Sequence, residues 1–220
     1  MRVWLFSPCL PRNTSLSEFV DHCRLLNGAA VFEGGPSAGQ HKDSFPIAEL
    51  ELRLDTFDLD CFFYESCIFV SAHLREAMAL PPSSIQFFDV DASRSAPVPR
   101  QKDYKIMNVP VTEEVSDLST SEFMTRDLIP GMSVPFNIQK ISIRPNATPS
   151  FDLFHDSNFR GYIFCTDALA IRALRAECTG IRFSDPTRMS VDRPMRFRTL
   201  RGLEESAPSN STHSVLIERF

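Results

Sequence analysis

The sequence predicts an α+β fold: a mixed, largely antiparallel sheet with a few packed helices. Three observations predict it. Residues 48–54 alternate strictly, with Ala48, Leu50, Leu52 and Leu54 on one side and Glu49, Glu51 and Arg53 on the other, which is the period of a half-buried strand. Short apolar runs of strand length recur at 2–6, 103–111 and 134–143. Two longer segments share one pattern, CIFVSAHLREAMALPPSSIQFFD at 67–89 and YIFCTDALAIRALRAECTGIRFSD at 162–185. Each reads as an apolar strand, a Ser or Thr in capping position, a helix of roughly ten residues, and a closing Ile-x-Phe-type strand. They are either a true internal repeat or two uses of one local solution.

Taken in order, RVWLF at 2–6 opens as a strand. Residues 15–27 read as a helix, because Leu16, Phe19, Val20, Cys23 and Leu26 or Leu25 recur at three-to-four spacing; Ser15 or Ser17 caps it and Gly28 ends it. Residues 34–44 are a loop. After the 48–54 strand, 57–61 repeats the alternation, with Phe57, Leu59 and Cys61 against Asp58 and Asp60. In the paired units Ser71 and Thr166 stand where an N-cap hydroxyl belongs. Gly180 ends the second helix, and Pro81 and Pro82 stop the first. Residues 112–128 read as a loop or short helix, 203–213 as a linker, and 214–219 as a last strand. The predicted core is Phe69, Leu74, Phe87, Ile106, Ile141, Phe164, Leu169, Leu174 and Phe183. The chain divides into a strand–helix segment at 1–44, a main domain at 45–186 and an Arg-rich tail at 187–220 that packs on it.

Composition bounds the function. With 220 residues and 43% hydrophobic content, the chain is long and apolar enough for an ordinary core. Nineteen Phe against one Trp and three Tyr mark rings that pack rather than bond. The net charge of −5 argues against general nucleic-acid binding. The charge is also uneven: residues 1–91 hold 6 Lys/Arg against 13 Asp/Glu, and residues 92–220 hold 17 against 15. The six cysteines form no Cys-x-x-Cys pair and resemble no disulfide framework, so reduced thiols in a cytoplasm are expected. The N-terminal apolar stretch is too short for a signal peptide, and no run approaches a membrane span.

Candidate chemistry is sparse. Gly34 and Gly39 have the spacing of a phosphate loop, but Gln40 and His41 stand where Lys and Ser or Thr are needed. Cys165 with His155 resembles a nucleophile and base, but the thiol ends a predicted buried strand, where it is inert. His22 and Cys23 lack the converging ligands a metal requires. The carboxylate pairs Asp58/Asp60 and Asp89/Asp91 lie at i, i+2 on strands and read as solvated faces. No catalytic, cofactor or metal residue is assigned, and the protein is expected not to be an enzyme. The informative surface feature is the acidic run at 43–65. Its Glu49, Glu51, Asp55, Asp58 and Asp60 are the expected contacts for a basic partner. The competing surface is basic: Arg188, Arg193, Arg196, Arg198 and Arg201.

One resemblance covers residues 45–186. Phe69-Val70-Ser71, Tyr104-Lys105-Ile106-Met107-Asn108-Val109, Asp117 with Ser121, Phe164-Cys165-Thr166 and Thr179-Gly180-Ile181-Arg182-Phe183 resemble, in order and spacing, the bacterial immunity-protein family eleven. The resemblance implies a cytoplasmic protein that neutralises a cognate toxin of a polymorphic or contact-dependent secretion system. It implies no known catalysis; no cofactor, no nucleic-acid partner and no membrane partner is expected. The competing functions are an enzyme that reverses the toxin's modification and a small-ligand-binding module. A pocket with converging polar groups separates the enzyme from the binder.

Overall fold

The computed structural model describes residues 2–9, 23–25, 45, 47–52, 59–93, 103–129, 132–189 and 196–197. The elements among them are β1 Val3–Pro8, β2 Cys23–Leu25, β3 Ala48–Leu52, β4 Cys61–Tyr64, β5 Cys67–Ser71, α1 Ala72–Met78, β6 Gln86–Asp91, β7 Tyr104–Asn108, β8 Thr112–Glu113, β9 Glu122–Ile129, β10 Met132–Lys140, β11 Leu153–Asp156, β12 Ile163–Thr166, α2 Asp167–Arg175, β13 Ile181–Ser184 and β14 Arg196–Phe197. Among the described residues the fold is therefore mostly sheet with two short helices. Contacts divide it into two compact units, one drawn from Met1–Ser7, Val111–Ile171 and Arg182–Arg219, the other from Pro8–Pro110 and Arg172–Ile181.

Each unit contains a six-stranded sheet, ordered β2-β3-β6-β7-β5-β4 in one and β14-β13-β1-β12-β11-β8 in the other. In these sheets β1 with β12, β12 with β11, β13 with β14, β2 with β3, β6 with β7, β7 with β5 and β5 with β4 pair antiparallel, and β3 with β6 and β11 with β8 pair parallel. The two sheets share a kernel. A hairpin, β4–β5 or β11–β12, leads through a helix to β6 or β13, and a strand from elsewhere in the chain, β7 or β1, lies between. The two similar sequence segments are the core of that kernel.

The helix starts are built as the sequence predicts. Ser71 Oγ accepts the Leu74 amide at 3.2 Å, and Thr166 Oγ1 accepts that of Leu169 at 3.5 Å. Each hydroxyl also donates to a carboxylate at the start of the hairpin, Ser71 to Asp60 Oδ1 at 2.7 Å and Thr166 to Asp152. The backbone follows suit: the Ser71 amide donates to Asp60 O at 2.8 Å and the Thr166 amide to Asp152 O at 3.0 Å.

The helix ends differ from expectation. α1 closes at Ala79, in the left-handed region at φ 48°, before Pro81 and Pro82 are reached. α2 closes at Glu177, φ 55°, where the Glu177 amide bonds Leu174 O and the Cys178 amide bonds Ala173 O, both at 3.1 Å. This paired closure satisfies the last carbonyls, so Gly180 is not the terminator. Gly180 lies in the next turn at φ 74°, where a Cβ would stand 2.1 Å from Cys61 O. It is glycine because β4 passes against it.

Three other expectations are corrected. Cys23–Leu25 is a strand, paired antiparallel with β3, rather than the end of a helix; the rest of 15–27 lies outside the described residues, as do the 34–44 loop and 203–219. A strand explains Cys23 and Leu25 as well as helical spacing does, since short apolar sets fit both periods. The segment 112–128 holds β8 and most of β9, which pairs with β10 in a two-stranded ribbon. Its face is largely exposed, so it needs few apolar anchors. Phe87 is half-exposed and its neighbour Phe88 is buried, opposite the buried Ile106 in the ladder of β6 with β7. Arg75 covers the outward Phe87 ring at 5.7 Å. The other eight predicted core residues are buried. In one unit Phe62 stacks on Phe69 at 4.9 Å and meets Tyr104 edge-on at 5.3 Å; in the other Phe154 stacks on Phe164 at 6.0 Å.

The β4–β5 turn carries Glu65 at φ 45° and Ser66 at φ 63°, with Tyr64 opposite Cys67. A two-residue turn with both φ positive favours Asn-Gly. Changing Glu65→Asn with Ser66→Gly should stabilise the protein by about 1 kcal/mol, read as a raised midpoint in chemical denaturation. Gly180→Ala should cost at least about 2 kcal/mol, and an unchanged midpoint would refute the close approach to Cys61.

Candidate functional site

The alternation of β3 positions the acidic residues. Ala48, Leu50 and Leu52 are buried, so Glu49 and Glu51 point outward and are half-buried. Glu49 lies beside Asp91 in the parallel ladder with β6, and Glu51 beside Arg24 in the antiparallel ladder with β2. Asp89 shares the outward face of β6 and is held by Lys105 Nζ at 2.7 Å. The outward face thus gathers Glu49, Glu51, Asp89 and Asp91 with Arg24 and Lys105. Asp89 and Asp91 are members that the sequence reading set aside as an ordinary solvated pair; the β3–β6 pairing that recruits them is a long-range contact with no local signal. Asp55 and Asp58 lie outside the described residues.

Asp60 departs from the expected pattern. It is 2% exposed, and its carboxylate is turned inward, accepting Ser71 Oγ at 2.7 Å together with the amide and hydroxyl of Thr179 at 2.8 and 3.1 Å. Leu59, Asp60 and Cys61 are all buried, so alternation fails just before β4. A carboxylate with this many internal donors belongs to the scaffold, and it is removed from the contact face.

The other sequence candidates are structural as well. Cys165 is fully buried and its thiol is pushed well above the ordinary value, first by burial and then by the charges of Asp167 and Asp152. It pairs in the sheet with Leu153, not His155. The His155 ring bonds Tyr162 O through Nδ1 at 2.9 Å, and burial holds its pKa below the usual histidine value. Neither group is poised for nucleophilic chemistry. Cys23 is likewise raised, and Cys67 is pushed up to about 12, chiefly by burial. Asp117 accepts the Ser119 amide and hydroxyl, which hold its carboxyl below the usual range. Ser121 Oγ donates to Asp117 O at 2.7 Å and accepts the Ser142 amide at 2.9 Å. The Asp-x-x-x-Ser segment is a turn that ties β9 to the chain after β10.

A groove of about 420 Å³ lies between the β10 strand and the 157–162 turn, lined by Ser133, Val134, Pro135, Ile138, Ser157, Asn158, Phe159, Arg160, Gly161 and Tyr162. Its ionisable lining residues are Arg160 and Tyr162. In the basic stretch, Arg188 donates its amide to Asp185 O at 3.1 Å and Arg196 lies opposite Ser184; Arg193, Arg198 and Arg201 lie outside the described residues. Among the described residues, no helix is long and apolar enough to cross a membrane.

Comparison with known proteins adds one match. A family model described as an immunity protein family, Imm11, matches residues 47–187. No curated protein matches the chain.

The contrast between Asp60 and the outward carboxylates is measurable. Asp60→Asn should cost about 2–3 kcal/mol, because an amide turns a donor toward the donors of Thr179 or Ser71. Glu49→Gln and Glu51→Gln should each stay within about 0.5 kcal/mol of the parent. Equal effects in a denaturation series would contradict the division into scaffold and surface.

Proposed function

The chain belongs to the Imm11 immunity protein family, and from that premise we propose that it binds and neutralises a cognate antibacterial toxin by forming a stoichiometric complex. The family match over residues 47–187 carries the reading. One feature of the structure supports it. The outward face of β3 and β6 collects carboxylates from two strands, as suits a surface that attracts a basic partner.

The contact face is Glu49 and Glu51, extended through Asp89 and Asp91; Asp55 and Asp58, the neighbouring carboxylates in the sequence, are tested with it. Toxins that act on nucleic acids or nucleotides carry basic clefts. A carboxylate face seated in such a cleft excludes the substrate and accelerates encounter through its field. The protein works in the cytoplasm, where its partner would act. All six of its cysteines are thiols, in keeping with a reducing compartment.

The test uses a cognate toxin, sought first among the products of the neighbouring reading frames. Titrating its activity against the purified protein should give full protection at about one molecule per toxin molecule. Full protection far below equimolar amounts would replace the binder with an enzyme that reverses the toxin's modification. Binding should weaken as salt shortens the screening length from about 8 Å toward 3 Å. The triple change Glu49→Lys, Asp55→Lys and Asp58→Lys should weaken affinity at least about tenfold by calorimetry. Unchanged affinity would remove the acidic face from the interface, and loss on reversing Arg188 and Arg193 would move it to the basic stretch.

A further inference from the structure

We infer that Asp60, His73 and Cys178 form a binding site for a divalent cation of the zinc class. Their ligand atoms all lie within 4.8 Å of one another. They come from three separate places: the residue before β4, the first turn of α1, and the residue that closes the end of α2. No sequence spacing announces such a site, which is why a search for paired His and Cys motifs passes over it.

Each ligand is held by the scaffold. Ser71 Oγ and the amide and hydroxyl of Thr179 orient the Asp60 carboxylate. His73 Nε2 meets Ala176 O at 2.7 Å. Donation to that carbonyl leaves the lone pair of the neutral ring on Nδ1, so Nδ1 is the nitrogen assigned to the ion. The Cys178 backbone is pinned by its amide bond to Ala173 O at 3.1 Å. In a tetrahedral site with bonds of about 2.0–2.3 Å, neighbouring ligand atoms stand roughly 3.5 Å apart. Closure on an ion therefore asks for movements of about 1 Å or less from side chains already converged.

The donor set selects the metal. One sulfur, one imidazole nitrogen and one carboxylate oxygen suit a borderline ion such as Zn²⁺, and they do not suit Mg²⁺ or Ca²⁺, which take oxygen shells. His73 is exposed and Cys178 half-buried, so the ion enters from solvent and keeps a fourth position for water. Bound there, it cross-links residues 60, 73 and 178 of one compact unit, adding binding free energy to folding.

The full-length protein, stripped with chelator, is titrated with Co²⁺ as a spectroscopic stand-in for Zn²⁺. One equivalent should produce a thiolate-to-cobalt charge-transfer band in the near ultraviolet and the strong visible bands of a tetrahedral site. Zn²⁺ should displace them and raise the thermal midpoint. Cys178→Ser should abolish the charge-transfer band, and His73→Gln should weaken Co²⁺ and Zn²⁺ affinity at least about tenfold. Metal-free melting of each variant checks that it folds, and if Cys178→Ser does not fold, His73→Gln decides. A wild-type protein with no such band and an unmoved midpoint overturns the site, as does a band retained in Cys178→Ser or unchanged affinity in a folded His73→Gln.

Discussion

The fold depends on one interaction, used twice: a hydroxyl at the end of a strand that joins the start of the next helix to a carboxylate at the start of the preceding strand. Ser71 does this with Asp60 and Thr166 with Asp152. The hydroxyl accepts a helix amide that would otherwise have no partner and donates to a carboxylate that would otherwise be costly to bury. The backbone amide of the same residue bonds the carbonyl of the same aspartate. The register of the hairpin and the start of the helix are therefore set together. Where the helix begins decides where it returns the chain to the sheet, and the gap left between hairpin and returning strand is filled by β7 in one unit and β1 in the other.

Much of this was legible because it is local. The hydroxyl caps, the helices and the apolar residues around them follow from spacing within a dozen residues, and Ser71, Thr166, Phe69 and Phe164 lie where that spacing puts them. What was not legible is set by distant partners. Phe87 and Phe88 are adjacent phenylalanines, and only the pairing of β6 with β7 decides which one faces the core. Gly180 looks like a helix terminator until Cys61 O is placed beside it, and Glu177 takes the terminating conformation instead. Cys23 fits a helical stripe equally well until β3 pairs with it.

The same division runs through the acidic segment. Glu49, Glu51 and Asp60 look alike in the sequence, each a carboxylate next to an apolar residue. Glu49 and Glu51 lie within a regular strand, where the pleat sends them outward. Asp60 lies at a strand start, where the backbone turns and the side chain meets Thr179, more than a hundred residues on. Regular alternation predicts direction only inside an element; at its ends, long-range hydrogen bonds take over. Asp89 and Asp91 show the converse, since an ordinary solvated pair becomes part of a larger acidic face once β3 is laid alongside.

The residues that carry the family likeness are scaffold residues. Ser71 and Thr166 cap helices, Ser121 closes a turn around Asp117, and Gly180 makes room for Cys61. Each of these four has a structural task described by its partners, and none of the four stands on the outward face of β3 and β6; Lys105, also part of the likeness, reaches that face only to hold Asp89. A signature of this kind fixes a frame without specifying what the frame meets. On the proposed function, recognition of one toxin rather than another rests on side chains that the frame holds outward but does not itself require. Glu49, Glu51, Asp89 and Asp91 take no part in the caps, the turn or the close approach, so the proposed contact face can vary while the fold that presents it stays the same.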